Sequence, residues 1–109
     1  MGDGFMKSGK PIHPTNGVGS APDAASSPQG TFIDFGQGPN RSNQSTMVVF
    51  VTNRDAANTL EISFANGKDG TWFAIAINTT LPIPAVCHNC RLRGTTGATA
   101  DYSIMGIIG

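Results

Sequence analysis

The sequence predicts an all-β chain: a small antiparallel β-sandwich or barrel preceded by an extended N-terminal arm. Three observations carry that expectation. Six or so short runs of β-branched, aromatic and aliphatic residues recur about every ten residues, separated by turn formers. No window repeats apolar residues at the three- and four-residue spacing of a helix face. Only 13% of the 109 residues are charged, whereas 14 are glycine and Thr, Asn and Ser are abundant, which describes a polar but largely non-ionic β surface.

Residues 1–30 are expected to be the arm and residues 31–109 the β domain. The arm is rich in Gly, Pro, Ser and Ala, and Pro11, Pro14, Pro22 and Pro28 are spaced so that neither a helix nor a central strand survives. Phe5, Met6, Ile12 and Val18 stand in it as isolated apolar anchors. Such a segment is either a disordered leader or an arm that orders against a neighbouring molecule. Fully extended it would reach on the order of 100 Å, at roughly 3.3 Å per residue.

Beyond Gly30 the texture changes. Thr31 to Phe35 reads as a short strand closed by Gly36-Gln37-Gly38-Pro39. Met47 to Val51 is an unbroken apolar run, with Met47, Val49 and Val51 on one face and Val48 and Phe50 on the other, so both faces need a cover. Leu60 to Phe64 alternates cleanly, with Leu60, Ile62 and Phe64 inward and a wet opposite side. Asn66-Gly67-Lys68-Asp69-Gly70 supplies the positive φ angles of a tight hairpin, joining that strand to Trp72–Ile77. There Phe73, Ile75 and Ile77 share one face, and Ala74 and Ala76 leave the other open to close approach. Leu81-Pro82-Ile83-Pro84 belongs at an edge, Val86 to Arg93 is a further strand, and Ala100 to Ile108 closes the domain.

Charge and motifs narrow the chemistry. Seven basic and seven acidic side chains balance, so the electrostatic footprint of a nucleic-acid binder is absent. Nothing near Met1 has the apolar core of a signal peptide and no later run approaches a membrane span, so synthesis in a cytoplasm is expected, with no membrane partner. Cys87-His88-Asn89-Cys90 is the one conspicuous motif. Its flanks are strand-like, whereas a redox cysteine sits at a helix N-terminus, and residues three apart on a strand face opposite ways. The expectation is two structural thiols and no metal. A zinc site would have to draw on Cys87, Cys90 and His88, completed by His13 or a second subunit. The single Glu61 and the scattered, turn-associated aspartates offer no catalytic pair and the serines no nucleophile elbow, so no enzyme and no cofactor are expected.

Arg91 and Arg93 are read as solvated or as partners for carboxylates of another chain. Trp72 and Tyr102 suggest a rival use, a sugar-stacking platform. The stretch Arg91-Leu92-Arg93-Gly94-Thr95-Thr96-Gly97-Ala98-Thr99-Ala100-Asp101-Tyr102-Ser103-Ile104, preceded by the Trp72 hairpin and the Gly/Pro arm, resembles small virion proteins of tailed bacteriophages. The nearest type is the capsid decoration, or cement, protein. The resemblance implies a non-enzymatic structural protein on the capsid surface, in which a compact β domain sits on the outer shell and an arm clamps neighbouring subunits. It assigns no individual residue. A small core and low charge fit a homo-oligomer, dimer or trimer, and the resemblance implies that it binds the major capsid protein or another virion protein. The contacts expected from the residues are Phe5, Ile12, Phe50, Trp72 and Phe73. The alternative is a glycan-binding or adaptor module of a phage tail or fibre, using Trp72 and Tyr102.

Overall fold

The computed structural model describes residues 10–36 and 45–108. Among these the strands in chain order are β1 (Lys10–Ile12), β2 (Val18–Ala21), β3 (Thr31–Asp34), β4 (Thr46–Asn53), β5 (Leu60–Ser63), β6 (Trp72–Ile75), β7 (Thr79–Ile83), β8 (Asn89–Gly94) and β9 (Ala100–Ile108). The all-β expectation holds, and the architecture is the sandwich. One antiparallel sheet runs β1-β9-β4-β7 with β2 also on β9, and the other runs β3-β8-β5-β6. Between them lies one core, built from Ile33, Phe35, Val49, Val51, Leu60, Ile62, Ile75, Leu92, Tyr102, Ile104 and their buried neighbours.

Alternation explains which side chains fill it. β9 sends Ala100, Tyr102, Ile104, Gly106 and Ile108 inward and the residues between them outward. β8 does the same with Cys90, Leu92 and Gly94. The hairpin between β5 and β6 forms at the expected place through two successive turns: Lys68 N–H donates to Ala65 O at 3.3 Å, and Thr71 N–H donates to Lys68 O at 3.1 Å. Asn66 and Gly67 supply φ values of 60° and 76°, the mirror-image pair that a type I′ turn requires.

Three expectations are corrected. The domain does not start at residue 31. Residues 10–12 and 18–21 are extended, with a turn between them, and β1 and β2 pair with β9 over Lys10↔Ile108 to Ile12↔Gly106 and Val18↔Ser103 to Ala21↔Ala100. Proline bars Pro11 from a central strand and not from this edge. Ile12, expected to contact a partner, is 3% exposed in the chain's own core. Residues 1–9, with Phe5 and Met6, lie outside the described residues.

Met47 does not share a face with Val49 and Val51. Thr46 pairs with Ile108 and Val48 with Ile107, so a bulge at Met47 breaks the alternation. Val49 and Val51 are fully buried while Met47 turns outward. Thr46 takes the inward place, its hydroxyl donating to Ala85 O at 2.7 Å. Nor is the far side of β5 wet throughout. Ser63 is buried beneath the hairpin, where its Oγ accepts from Ala65 N–H at 3.2 Å and Gly67 N–H at 3.1 Å.

Candidate partner-binding surfaces

Four regions carry side chains that the fold leaves available or that the sequence singled out. The first is the side of the sandwich where β6 and β7, each the edge of its own sheet, follow one another. Phe73 pairs in register with buried Ile62, and Leu81 with buried Val51, so both side chains turn toward the space between the sheets. Among the described residues no strand lies beyond either edge, and the seam stays open there. Phe73 is 59% exposed, Ile77 in the connection 42% and Leu81 38%. Ala74 and Ala76 beside them are exposed and small. None of the residues from Trp72 to Ile83 is charged, so this double edge lacks the lysines that guard many free strands.

The second is a cleft of about 620 Å³ on the outer face of the five-stranded sheet. Its floor is the outward set of the central strands, Phe50 and Thr52 from β4 and Ser103 and Met105 from β9. Thr80 of β7 and Val18 of β2 extend it on either side. The turn at residues 13–17 stands over it as a wall, fixed by Gly17 N–H to Pro14 O at 3.0 Å and Ile104 N–H to Gly17 O at 2.7 Å. Tyr102 Oη donates to Asn16 O at 2.8 Å, and Asn16 Nδ2 to Phe32 O at 2.6 Å. A Cβ at Gly17 would come within 2.9 Å of Ile104 O, so only glycine lets the wall sit so close to β9. Phe50 is therefore half-buried on the floor of a groove.

The third is the outer face of the four-stranded sheet, which the chain covers with its own groups. Arg93 lies 4.1 Å from the Trp72 ring centroid, donates from Nε to Glu61 Oε1 at 2.8 Å, and reaches Pro28 O from Nη1 at 2.8 Å. Arg91 lies 5.0 Å from the Phe32 ring and donates from Nε to Asn66 Oδ1 at 2.9 Å. The arginines, expected to be solvated or to pair with carboxylates of another chain, thus find partners in this one. The tip of the hairpin leans on Trp72, so that a Cβ at Gly67 would meet Trp72 Cζ2 at 3.3 Å. Tyr102 belongs to the other sheet and is buried. The two rings expected to form a sugar platform share no surface.

The fourth is the Cys-x-x-Cys segment. Cys87 lies outside β8, packed against the core, with Sγ 3.2 Å from Thr46 Oγ1, while Cys90 is fully buried. Burial pushes both thiols above their ordinary range, which suits inert packing groups and opposes thiolate chemistry. His88 is exposed and its Nε2 lies 3.4 Å from Ser45 Oγ. His13 lines the cleft on the other sheet. Among the described residues no three of His, Cys, Asp and Glu gather as a metal site would require. The aspartates hold turns: Asp55 Oδ1 accepts from Ala57 and Asn58 N–H, both at 3.0 Å, and Asp23 Oδ1 accepts from Ala25 N–H at 2.7 Å.

Of the contacts expected from sequence, Phe73 is on the open seam, Phe50 in the cleft, Trp72 beneath Arg93 and Ile12 in the core. Ile77, Leu81, Thr52, Thr80, Ser103 and Met105 were not singled out. The signal for Thr52, Ser103 and Met105 was present in the alternation of β4 and β9, but joining them with Thr80 of β7 needed the register between the strands. Comparison with protein-family models, with curated proteins and with solved structures found no match to the chain.

Proposed function

We propose that the chain is a non-enzymatic structural protein of a virion, of the capsid-decoration type, which stabilises the shell by burying its open seam. The uncharged double edge of β6 and β7, with Phe73, Ile77 and Leu81 exposed, is the observation that supports this reading. Covering it against a capsid subunit or a second copy removes apolar surface from water and satisfies free strand-edge groups together. A particle held by such contacts needs no reactive group. It needs many copies and a complementary surface, and expansion of the shell then has to expose apolar area at every copy. In this reading residues 1–9, which include Phe5 and Met6, supply the clamp.

Co-sedimentation with empty heads of the virus that encodes the chain tests the proposal. Phe73→Ser should leave the fold intact, because the side chain is already largely in water, and should weaken head binding about tenfold or more, as expected of a buried aromatic contact. Head binding by Phe73→Ser equal to that of the parent chain would remove the seam from the interface.

A further inference from the structure

We infer that the cleft over β4 and β9 is a binding site for a neutral saccharide, separate from the seam that the proposed structural role uses. Its floor is ordered by strand register into two rows that run across the sheet. Ser103, Thr52 and Thr80 are consecutive register partners and form a row of hydroxyls. Met105, Phe50 and Pro82 form the adjacent row, which is apolar. Partnered strands lie about 4.8 Å apart and alternate outward residues about 6.8 Å apart, so the hydroxyl row spans about 10 Å beside an apolar strip of equal length.

Charge and hydrogen-bonding capacity select the ligand. Among the described residues no Lys, Arg, Asp or Glu lines the cleft and His13 is its one titratable side chain, so apart from that imidazole an anion or cation would lose hydration without finding a counter-charge. The hydroxyls of Thr52 and Thr80 bond to each other at 2.8 Å, which uses one of their two protons and leaves the other, with free lone pairs, for a ligand. Ser103 Oγ, half-buried beside them, makes no hydrogen bond among the described residues. A pyranose has the matching division: a C–H face to set on Phe50 and Met105, and a rim of hydroxyls that both donate and accept. The volume, about 620 Å³, is that of a small-ligand cleft.

An extended peptide fits less well. β4 is paired with β7 and β9, and β9 with β4 and the β1/β2 edge, so no main-chain ladder is left on this floor for a peptide to join. The wall is already built. Its long-range hydrogen bonds from Asn16, Gly17 and Tyr102 hold the cleft open without a ligand, which lowers the ordering cost that weak sugar sites otherwise bear.

The test is an amide NMR titration of the full chain with neutral gluco-, galacto-, manno- and N-acetylglucosamine oligosaccharides, each to about 20 mM, the range in which weak sugar sites saturate. At least one series should give saturable shifts centred on Phe50, Thr52, Ser103 and Met105, unchanged by about 0.5 M salt because no ion pair is involved. Thr52→Val and Ser103→Ala, each with the remaining spectrum preserved, should weaken that affinity about fivefold through loss of one hydrogen bond. Phe73→Ser, on the seam, should leave it unaltered, so failure of the saccharide site and failure of the structural role read out separately. The inference is overturned by an absence of shifts with every series, or by shifts centred outside the cleft. It is equally overturned if the cleft signals move with protein concentration alone or on deletion of Met1–Gly9, which would assign the cleft to a second copy or to the chain's own terminus.

Discussion

Ser63 and Asp55 show how single polar groups decide this fold. Ser63 looks like a solvent-facing residue of an alternating strand, yet its hydroxyl is buried and accepts two backbone N–H groups of the hairpin while sharing a 2.8 Å bond with Thr71 Oγ1. Ser63→Ala should therefore cost about 1–3 kcal/mol in urea unfolding, because it strands buried donors that water cannot reach. Asp55 ties its own turn to β9 by accepting from Ala57, Asn58 and Asp101 N–H, and these bonds hold its carboxyl below the ordinary value of 3.8. A carboxyl lowered in the folded state adds stability above its unfolded pKa, and that stability fades as pH falls through the folded value. Unfolding midpoints should hold steady down to about pH 5 and decline below about pH 4, with a shallower decline in Asp55→Asn.

At the scale of elements, the alternating pattern located most strands and their inward faces, and the Asn-Gly signal located the hairpin. What the pattern could not convey was pairing. Pro11 and the glycines around it removed every local sign of a strand, and only the unsatisfied edge of β9 explains why residues 10–12 and 18–21 run extended against it. The bulge at Met47 is similar: a run of five apolar residues has no polar marker to reveal that one of them is extra. Removing residues 1–9 should preserve cooperative unfolding and the dispersed NMR spectrum. Removing residues 1–21 should destroy both, because it takes Ile12 and Ala21 from the core and bares a nine-residue strand. Circular dichroism melts of the two truncations distinguish an appended arm from the edge strand described here.

For the whole molecule, the two outer faces differ in what they leave to do. The four-stranded sheet covers itself with Arg91, Arg93, Glu61 and the hairpin tip, whereas the five-stranded sheet keeps a walled cleft and the β6–β7 side stays open to water. Low charge and apolar two-faced strands were legible in the sequence. Which apolar side chains the fold leaves exposed was not, since Trp72 and Phe73 are adjacent in sequence and only strand position leaves the first under Arg93 and the second at the rim. In the proposed role the chain meets its partner at the rim. Hydrogen–deuterium exchange of the full chain, free and bound to empty heads, tests this. Binding should slow exchange at the amides of residues 72–83 and leave β8 and β5 unchanged. Unaltered exchange at 72–83 in head-bound protein would contradict the account.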